Sequence, residues 1–179
     1  APNATAVTPT TPNPTSGSTV SFSVAFDEAV QNFDAATDVT VNTTGTVAYV
    51  GTSISGVGQN YTVDLTGISG DGTLTLAVNT SSDVADLAGN GLASSQTSSA
   101  VTVDQTPPTV TGVSVQTGLT VDVSFSEAMG AGVTTATNYA LSGSGRGTLA
   151  ANPDSVALAS GNTYRLTWLA GEMKNGGDV

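Results

Sequence analysis

The feature of this sequence that most constrains its fold is an alternation of apolar and polar residues. Its clearest example is the row Val20, Phe22, Val24 and Phe26, in which the residues between are small or polar. A period of two is that of a β-strand, because successive side chains point to opposite faces of a sheet. No segment carries the i, i+3, i+4, i+7 pattern of an amphipathic helix. The sequence therefore predicts an all-β protein with half-buried strands and minimal helix.

The same alternation predicts strands along the rest of the chain. They are centred on Val39/Val41, Val47/Tyr49, Tyr61/Val63/Leu65, Leu74/Leu76/Val78, Val101/Val103, Val113/Val115, Leu119/Val121/Val123/Phe125, Tyr139/Leu141, Val156/Leu158 and Tyr164/Leu166/Trp168. Val and Thr dominate these segments, as β-branched residues suit a pleated surface. Gly, Asn, Asp and Ser, which favour turns, fill the gaps. Many short strands at this spacing are typical of a β-sandwich or a barrel.

An internal repeat relates the two halves of the chain. Residues 20–28 (VSFSVAFDE) match residues 119–127 (LTVDVSFSE), 99 residues later. Further on, Tyr61 corresponds to Tyr164, at an offset of 103 residues. The offset drifts only slightly, as expected when loops vary in length and strands persist. The sequence therefore contains two copies of one structural unit.

The boundary between the copies is marked by Pro107 and Pro108, because neither residue can donate a backbone hydrogen bond to a sheet. We predict two tandem immunoglobulin-like β-sandwich domains, residues 1–104 and 105–179. The second is incomplete at its C-terminal end, since Val179 falls where Leu74 falls in the first copy. Two explanations stay open: the sequence is a fragment of a longer chain, or a strand from another chain completes the second sandwich.

Charge and composition exclude several classes of protein. Three Lys and Arg against 14 Asp and Glu give a net charge of −11, so nothing neutralises the phosphates of a nucleic acid. No apolar run approaches the roughly 20 residues of a membrane-spanning helix, and we do not expect a membrane-embedded protein. The chain has neither Cys nor His, which leaves oxygen atoms as the ligands for a metal.

The residue types argue against an enzyme. Without His or Cys the usual general bases and nucleophiles are missing, and no Gly-x-Ser-x-Gly motif lies between a strand and a helix. A glycosidase with two catalytic carboxylates is disfavoured because no aromatic cluster would line its groove. Trp168 and Tyr164 could form a sugar-stacking platform. They share a face with Leu166, however, and their counterparts lie in a predicted core strand, so we expect both to be buried.

A set of short motifs carries a resemblance to a known family. The motifs are TPTTPNP from Thr8, FDE from Phe26, NFD from Asn32, DVADLAGN from Asp83, VDQTPP from Val103, TVTGVSV from Thr109, FSEAM from Phe125 and TNYAL from Thr137. Together they resemble the bacterial Ig-like repeats of large exported surface proteins and adhesins. The resemblance implies an extracellular, tandemly repeated, non-catalytic sandwich that serves most often as a stalk. It also implies calcium between repeats in some relatives.

The acidic residues suggest where calcium would bind. We expect the strand that contains Phe26 to end at Glu28. In an Ig-like sandwich, the loop after this strand lies at the same pole as the loop between Val78 and Val101. Hard oxygen ligands favour Ca²⁺ over zinc. The predicted ligands are Glu28, Asp83, Asp86 and Asn90 at the first pole, with Asp104 and Glu127 at the junction between the copies. The alternative is that these are ordinary solvated loop acids.

These observations lead to one preferred function and two alternatives. We expect a non-catalytic spacer of a bacterial cell-surface or secreted protein, with neighbouring Ig-like repeats as its partners and calcium as a stiffening ion. One alternative is an accessory carbohydrate- or protein-binding module of a secreted enzyme. The other is a subunit of a surface layer or filament that self-associates through the open second domain.

Overall fold

The computed structural model of the chain describes residues 1–174, and within them the protein is all-β, as predicted. The helices of this part are three single turns of 3₁₀ type, Ala36–Asp38, Ala136–Asn138 and Ser144–Arg146. The chain divides into two compact units. Unit 1 is Ala1–Thr106, and unit 2 begins at Pro107.

Unit 1 contains two antiparallel sheets. Its strands are β1 (Ala4–Pro9), β2 (Thr19–Gln31), β3 (Val39–Thr43), β4 (Gly51–Thr66), β5 (Gly72–Val78), β6 (Ala85–Asp86) and β7 (Val101–Val103). The first sheet has the order β1-β2-β4, with β6 paired to β2, and the second has the order β3-β5-β7. Residues of both sheets form one hydrophobic cluster, which is the arrangement of a β-sandwich.

The core of unit 1 consists of the residues that the alternation predicts. Phe22 of β2 lies opposite Val63 of β4, and both are fully buried. Leu74 and Leu76 of β5 are fully buried as well. At one end of this core, the rings of Phe26, Phe33 and Tyr61 meet edge to face, with centroids 5.1–5.9 Å apart. The predicted core of the first copy is therefore confirmed.

Two local predictions in unit 1 are wrong. β2 does not end at Glu28 but continues to Gln31. Its pairing with β4 is interrupted between Ala25 and Val30, and the end of the strand also pairs with β6. The segment around Val47 and Tyr49 is not a strand and contributes a single bridge to the fold. The structure also contains β1, in the Pro- and Thr-rich start of the chain, for which the alternation gives no position.

The described part of unit 2 contains one antiparallel sheet. Its strands are β8 (Val110–Thr117), β9 (Thr120–Phe125), β10 (Ser155–Ser160) and β11 (Thr163–Thr167), in the order β10-β11-β9-β8. Val121, Val123 and Leu166 are buried on one face of this sheet. Residues of the irregular segment 126–154 pack against that cluster, so the core lies between a sheet and non-strand chain.

The predicted strand at Tyr139 and Leu141 is absent from unit 2. Both side chains are half-buried against the core, but the backbone around them is a 3₁₀ turn followed by irregular chain. Their counterparts in unit 1, Val39 and Val41, belong to β3, which pairs only with β5. No described residue of unit 2 supplies the equivalent of β5. Without a neighbour to pair with, this apolar segment does not become a strand.

Trp168 and Tyr164 are core residues of unit 2, as we expected. The Trp168 side chain is 1 % exposed, and its indole N–H donates to the carbonyl oxygen of Ala150 at 2.9 Å. Tyr164 is buried and meets Phe125 edge to face. A surface platform made of these two rings is therefore excluded.

Candidate functional site

Two of the predicted calcium ligands, Asp86 and Asn90, close a short loop of unit 1 through hydrogen bonds. Asp86 Oδ1 accepts the backbone N–H groups of Ala88 at 2.8 Å and of Asn90 at 2.9 Å. Its Oδ2 accepts from the side-chain amide of Asn90 at 2.7 Å. Gly89 between them has φ +85°, a conformation that favours glycine. Three N–H donors thus occupy the carboxylate, and the Asn90 side chain holds the pKa of Asp86 below its ordinary value.

Glu28 lies near the same carboxylate. The Ala1 nitrogen is 3.6 Å from Glu28 Oε1 and 3.6 Å from Asp86 Oδ2, so the two acidic side chains are neighbours. Asp83 is exposed, and its backbone carbonyl accepts from the side-chain amide of Asn32. The structure therefore brings Glu28, Asp86 and Asn90 to one pole.

The two junction residues belong to different units. Asp104 is exposed in unit 1, and its Oδ1 accepts the N–H of Thr106 at 3.3 Å. Glu127 is half-buried in unit 2. Within residues 1–174, no three acidic side chains come together in an arrangement that could hold a metal ion. Calcium binding by the six residues stays a prediction.

A carboxylate ties down the start of unit 1. Asp27 Oδ1 accepts the backbone N–H of Asn3, and Oδ2 accepts its side-chain amide, both at 2.7 Å. The Asp27 N–H donates back to the Asn3 carbonyl at 3.1 Å, and Ser94 donates to the Asn3 side chain. We call Asn3 and Asp27 the entry clamp. Because the Asn3 side chain donates to the ionised form, it lowers the pKa of Asp27.

A second carboxylate ties down the end of unit 1. Asp71, in the crossing from β4 to β5, accepts the N–H of Gln105 at Oδ1 and the hydroxyl of Thr106 at Oδ2, both at 2.6 Å. The Gln105 side-chain amide donates to the carbonyls of Ile68 at 3.1 Å and Gly17 at 3.3 Å. We call Asp71, Gln105 and Thr106 the exit clamp. The Thr106 hydroxyl is the main cause of the lowered pKa of Asp71.

A carboxylate in the described part of unit 2 is held in a similar way. Arg165 of β11 donates two hydrogen bonds to Asp122 of β9, at 2.7 and 2.8 Å. Such a two-point contact is the strong form of an arginine–carboxylate pair. It lowers the pKa of Asp122 and raises that of Arg165. The residues on both sides of Asp122, Val121 and Val123, are buried, so this pair lies on the face of the sheet opposite the core.

These carboxylates predict how stability responds to acid. The pKa values of Asp27, Asp71, Asp86 and Asp122 are lowered by folding. The stabilisation they provide is complete above the unfolded value of about 3.9 and is lost as the pH falls through the folded values. We expect a nearly constant Tm from pH 7 to about pH 5 and a decline below about pH 4.

The Tm is measured by calorimetry at roughly 0.15 M salt. At this salt concentration charges are screened beyond about 8 Å, so protonation of the other acidic residues stabilises the fold little through reduced repulsion. Asp71→Asn removes one of the four carboxylates whose pKa is lowered, and the decline of its Tm should be shallower. A Tm that stays constant down to about pH 2 would contradict the claim that these ionised carboxylates stabilise the fold.

Comparison with known proteins adds no assignment. The chain matches no protein-family model and no curated protein. Among residues 1–174, no helix has the length and apolar character needed to cross a membrane.

Proposed function

We propose that the chain is a non-catalytic spacer of a bacterial cell-surface or secreted protein, flanked by Ig-like repeats of the same polypeptide. The observation that carries the proposal is the pair of clamps at the two ends of unit 1. A spacer receives force through its chain ends, and these are the points at which Asp27 and Asp71 fasten the chain to the body of the fold.

The position of the clamps supports a load-bearing role. Asn3 is bound to Asp27, near one end of β2, whereas Gln105 is bound to Gly17, just before the other end. Because a strand rises about 3.3 Å per residue, the entry and exit clamps of unit 1 are separated by about 30 Å along β2. Force applied to the two ends therefore runs along the strands and loads many ladder hydrogen bonds together, rather than opening them one after another.

The state of the carboxylates supports a role without catalysis. A carboxyl group that acts as a general acid needs a raised pKa, whereas Asp27, Asp71, Asp86 and Asp122 are held in the ionised form. The burial of Trp168 removes the platform on which a carbohydrate-binding module would have relied. The test of the spacer proposal is mechanical unfolding of single chains held at both ends of unit 1.

Calcium is the second part of the proposal. Glu28 Oε1 and Asp86 Oδ2 each lie 3.6 Å from the same atom, the Ala1 nitrogen, so the two carboxylates are neighbours at the entry pole, a position where a cation is electrostatically favoured. Ca²⁺ requires six to eight oxygen ligands, so carbonyls and water would have to complete the shell. An ion bound only to the folded state stabilises that state by mass action.

We therefore expect a higher Tm in millimolar Ca²⁺ than in EDTA. Glu28→Gln should abolish the difference, while Asp64→Asn, a matched change elsewhere on the first sheet, should preserve it. An identical Tm in Ca²⁺ and EDTA would contradict calcium binding by these residues.

A further inference from the structure

The inner face of unit 2 is uncovered along β8. Val113 and Val115 lie opposite Val123 and Val121 of β9, so all four side chains point to the same face of the sheet. The β9 residues are buried in the core, whereas Val113 is 63 % exposed and Val115 is 49 % exposed. Two valines on the core side of a sheet are therefore in contact with solvent.

The equivalent position in unit 1 is covered. The internal repeat aligns β9 with β2, so Val123 of unit 2 corresponds to Val24 of unit 1. Val7 of β1 pairs with Val24, which makes Val7 the counterpart of Val113. Val7 is only 7 % exposed, and β5 of the second sheet packs against β1. In unit 1, therefore, the second sheet, with β5 at its centre, covers this face.

A groove in unit 2 lies where that strand would be. A cavity of about 540 Å³ runs between β8, β9 and the segment that follows them, and one of about 190 Å³ adjoins it. Among the described residues, none that lines either cavity is charged; the lining includes Val113, Phe125, Met129, Tyr139 and Trp168. An occupant must therefore present apolar side chains to this groove.

We propose that the groove binds one extended strand of the β5 type supplied by a separate polypeptide, with apolar side chains at every second position. In β5 these are Leu74, Leu76 and Val78, and all three are buried between the sheets of unit 1. Such a strand would cover Val113. It would also give the apolar segment around Tyr139 and Leu141 the neighbour that β3 has in unit 1. Addition of a strand to an incomplete sheet combines backbone hydrogen bonds with side-chain pockets. This inference does not depend on the spacer function.

The probe is a synthetic peptide with the sequence of residues 70–80, GDGTLTLAVNT, added to the intact chain. Trp168 is the only tryptophan and lines the smaller cavity, so its fluorescence reports on unit 2 alone. We expect a saturable change in emission and new amide-exchange protection at residues 139–141. A control peptide carrying Leu74→Ser and Leu76→Ser should produce neither.

Matched variants of the chain locate the binding face. Val113→Lys places a charge in the groove and should weaken peptide binding more than tenfold. Ser114→Lys introduces the same charge on the opposite face of β8 and should leave binding unchanged. Both positions are exposed, so neither change should unfold unit 2.

Three outcomes would overturn the proposal. The first is the absence of saturable binding, and the second is binding that Val113→Lys leaves intact. The third is a dimer in sedimentation experiments that Val113→Lys dissociates, since the occupant would then be a second copy of β8.

Discussion

Replacement of Phe26 by alanine is expected to lower the free energy of unfolding of unit 1 by about 3–5 kcal/mol. Phe26 is 4 % exposed and packs edge to face against Phe33 and Tyr61, with centroids 5.2 and 5.9 Å away. The substitution removes two aromatic contacts and leaves a cavity in a close-packed region. Domains of this size are typically stable by about 5–15 kcal/mol, so the loss is a large fraction of the total.

Denaturant unfolding of the wild type and the variant measures this effect. Tyr49→Ala is the matched control, because Tyr49 is the aromatic residue of unit 1 that lies outside the core, with 39 % of its surface exposed. We expect the control to change the free energy of unfolding by less than about 1 kcal/mol. A loss below about 1 kcal/mol for Phe26→Ala would contradict the assignment of Phe26 to the core.

The second large effect is expected in unit 2. Trp168→Ala removes the largest buried side chain of that unit and leaves the Ala150 carbonyl without its indole donor. Removal of a buried tryptophan lowers stability by about 3–5 kcal/mol. Because the described core of unit 2 has one sheet and few fully buried residues, we expect this unit to unfold.

Two-dimensional NMR of the intact chain distinguishes the units. Cross-peaks from strands β8–β11 should collapse in Trp168→Ala, while those from β2, β4 and β5 remain. Leu169→Ala, at an exposed neighbouring position, should leave both sets unchanged. Loss of the unit 1 peaks in Trp168→Ala would contradict the conclusion that the two units have separate hydrophobic cores.

The strands and cores could be predicted from the sequence because every second side chain of a half-buried strand faces the core and is apolar. Phe22, Val63 and Leu76 stand out in an alternating pattern, and all are buried. β1 could not be predicted in this way. Its residues are small, and its position depends on pairing with β2, which is a tertiary interaction. Tyr139 and Leu141 show the reverse case, since an alternating pattern forms no strand when no neighbour pairs with it.

The clamps could not be predicted because their partners are distant in sequence. Asp71 binds residues 34 and 35 positions away, and Asp27 binds a residue 24 positions away. Single aspartates in turn-like segments give no indication of such partners. The pairing of Asp86 with Asn90 is different: the Asp-x-x-Gly-Asn motif is local, and a loop closed by its own aspartate could have been foreseen.

The spacer proposal is tested most directly by pulling single chains. Because the sequence has no cysteine, introduced cysteines define the points of attachment. Ala1→Cys with Pro107→Cys applies force between the two poles of unit 1. Ala1→Cys with Leu87→Cys applies it within the entry pole, since Leu87 adjoins Asp86, whose carboxylate lies 3.6 Å from the Ala1 nitrogen.

Pulled between the poles, unit 1 should unfold in one step. The released chain of 106 residues extends by about 3.3–3.6 Å per residue, or roughly 320 Å after subtraction of the folded length. The force should be several times that needed within one pole, because strands sheared along their length break many hydrogen bonds together. Gradual extension, or equal forces for the two cysteine pairs, would contradict a load-bearing spacer.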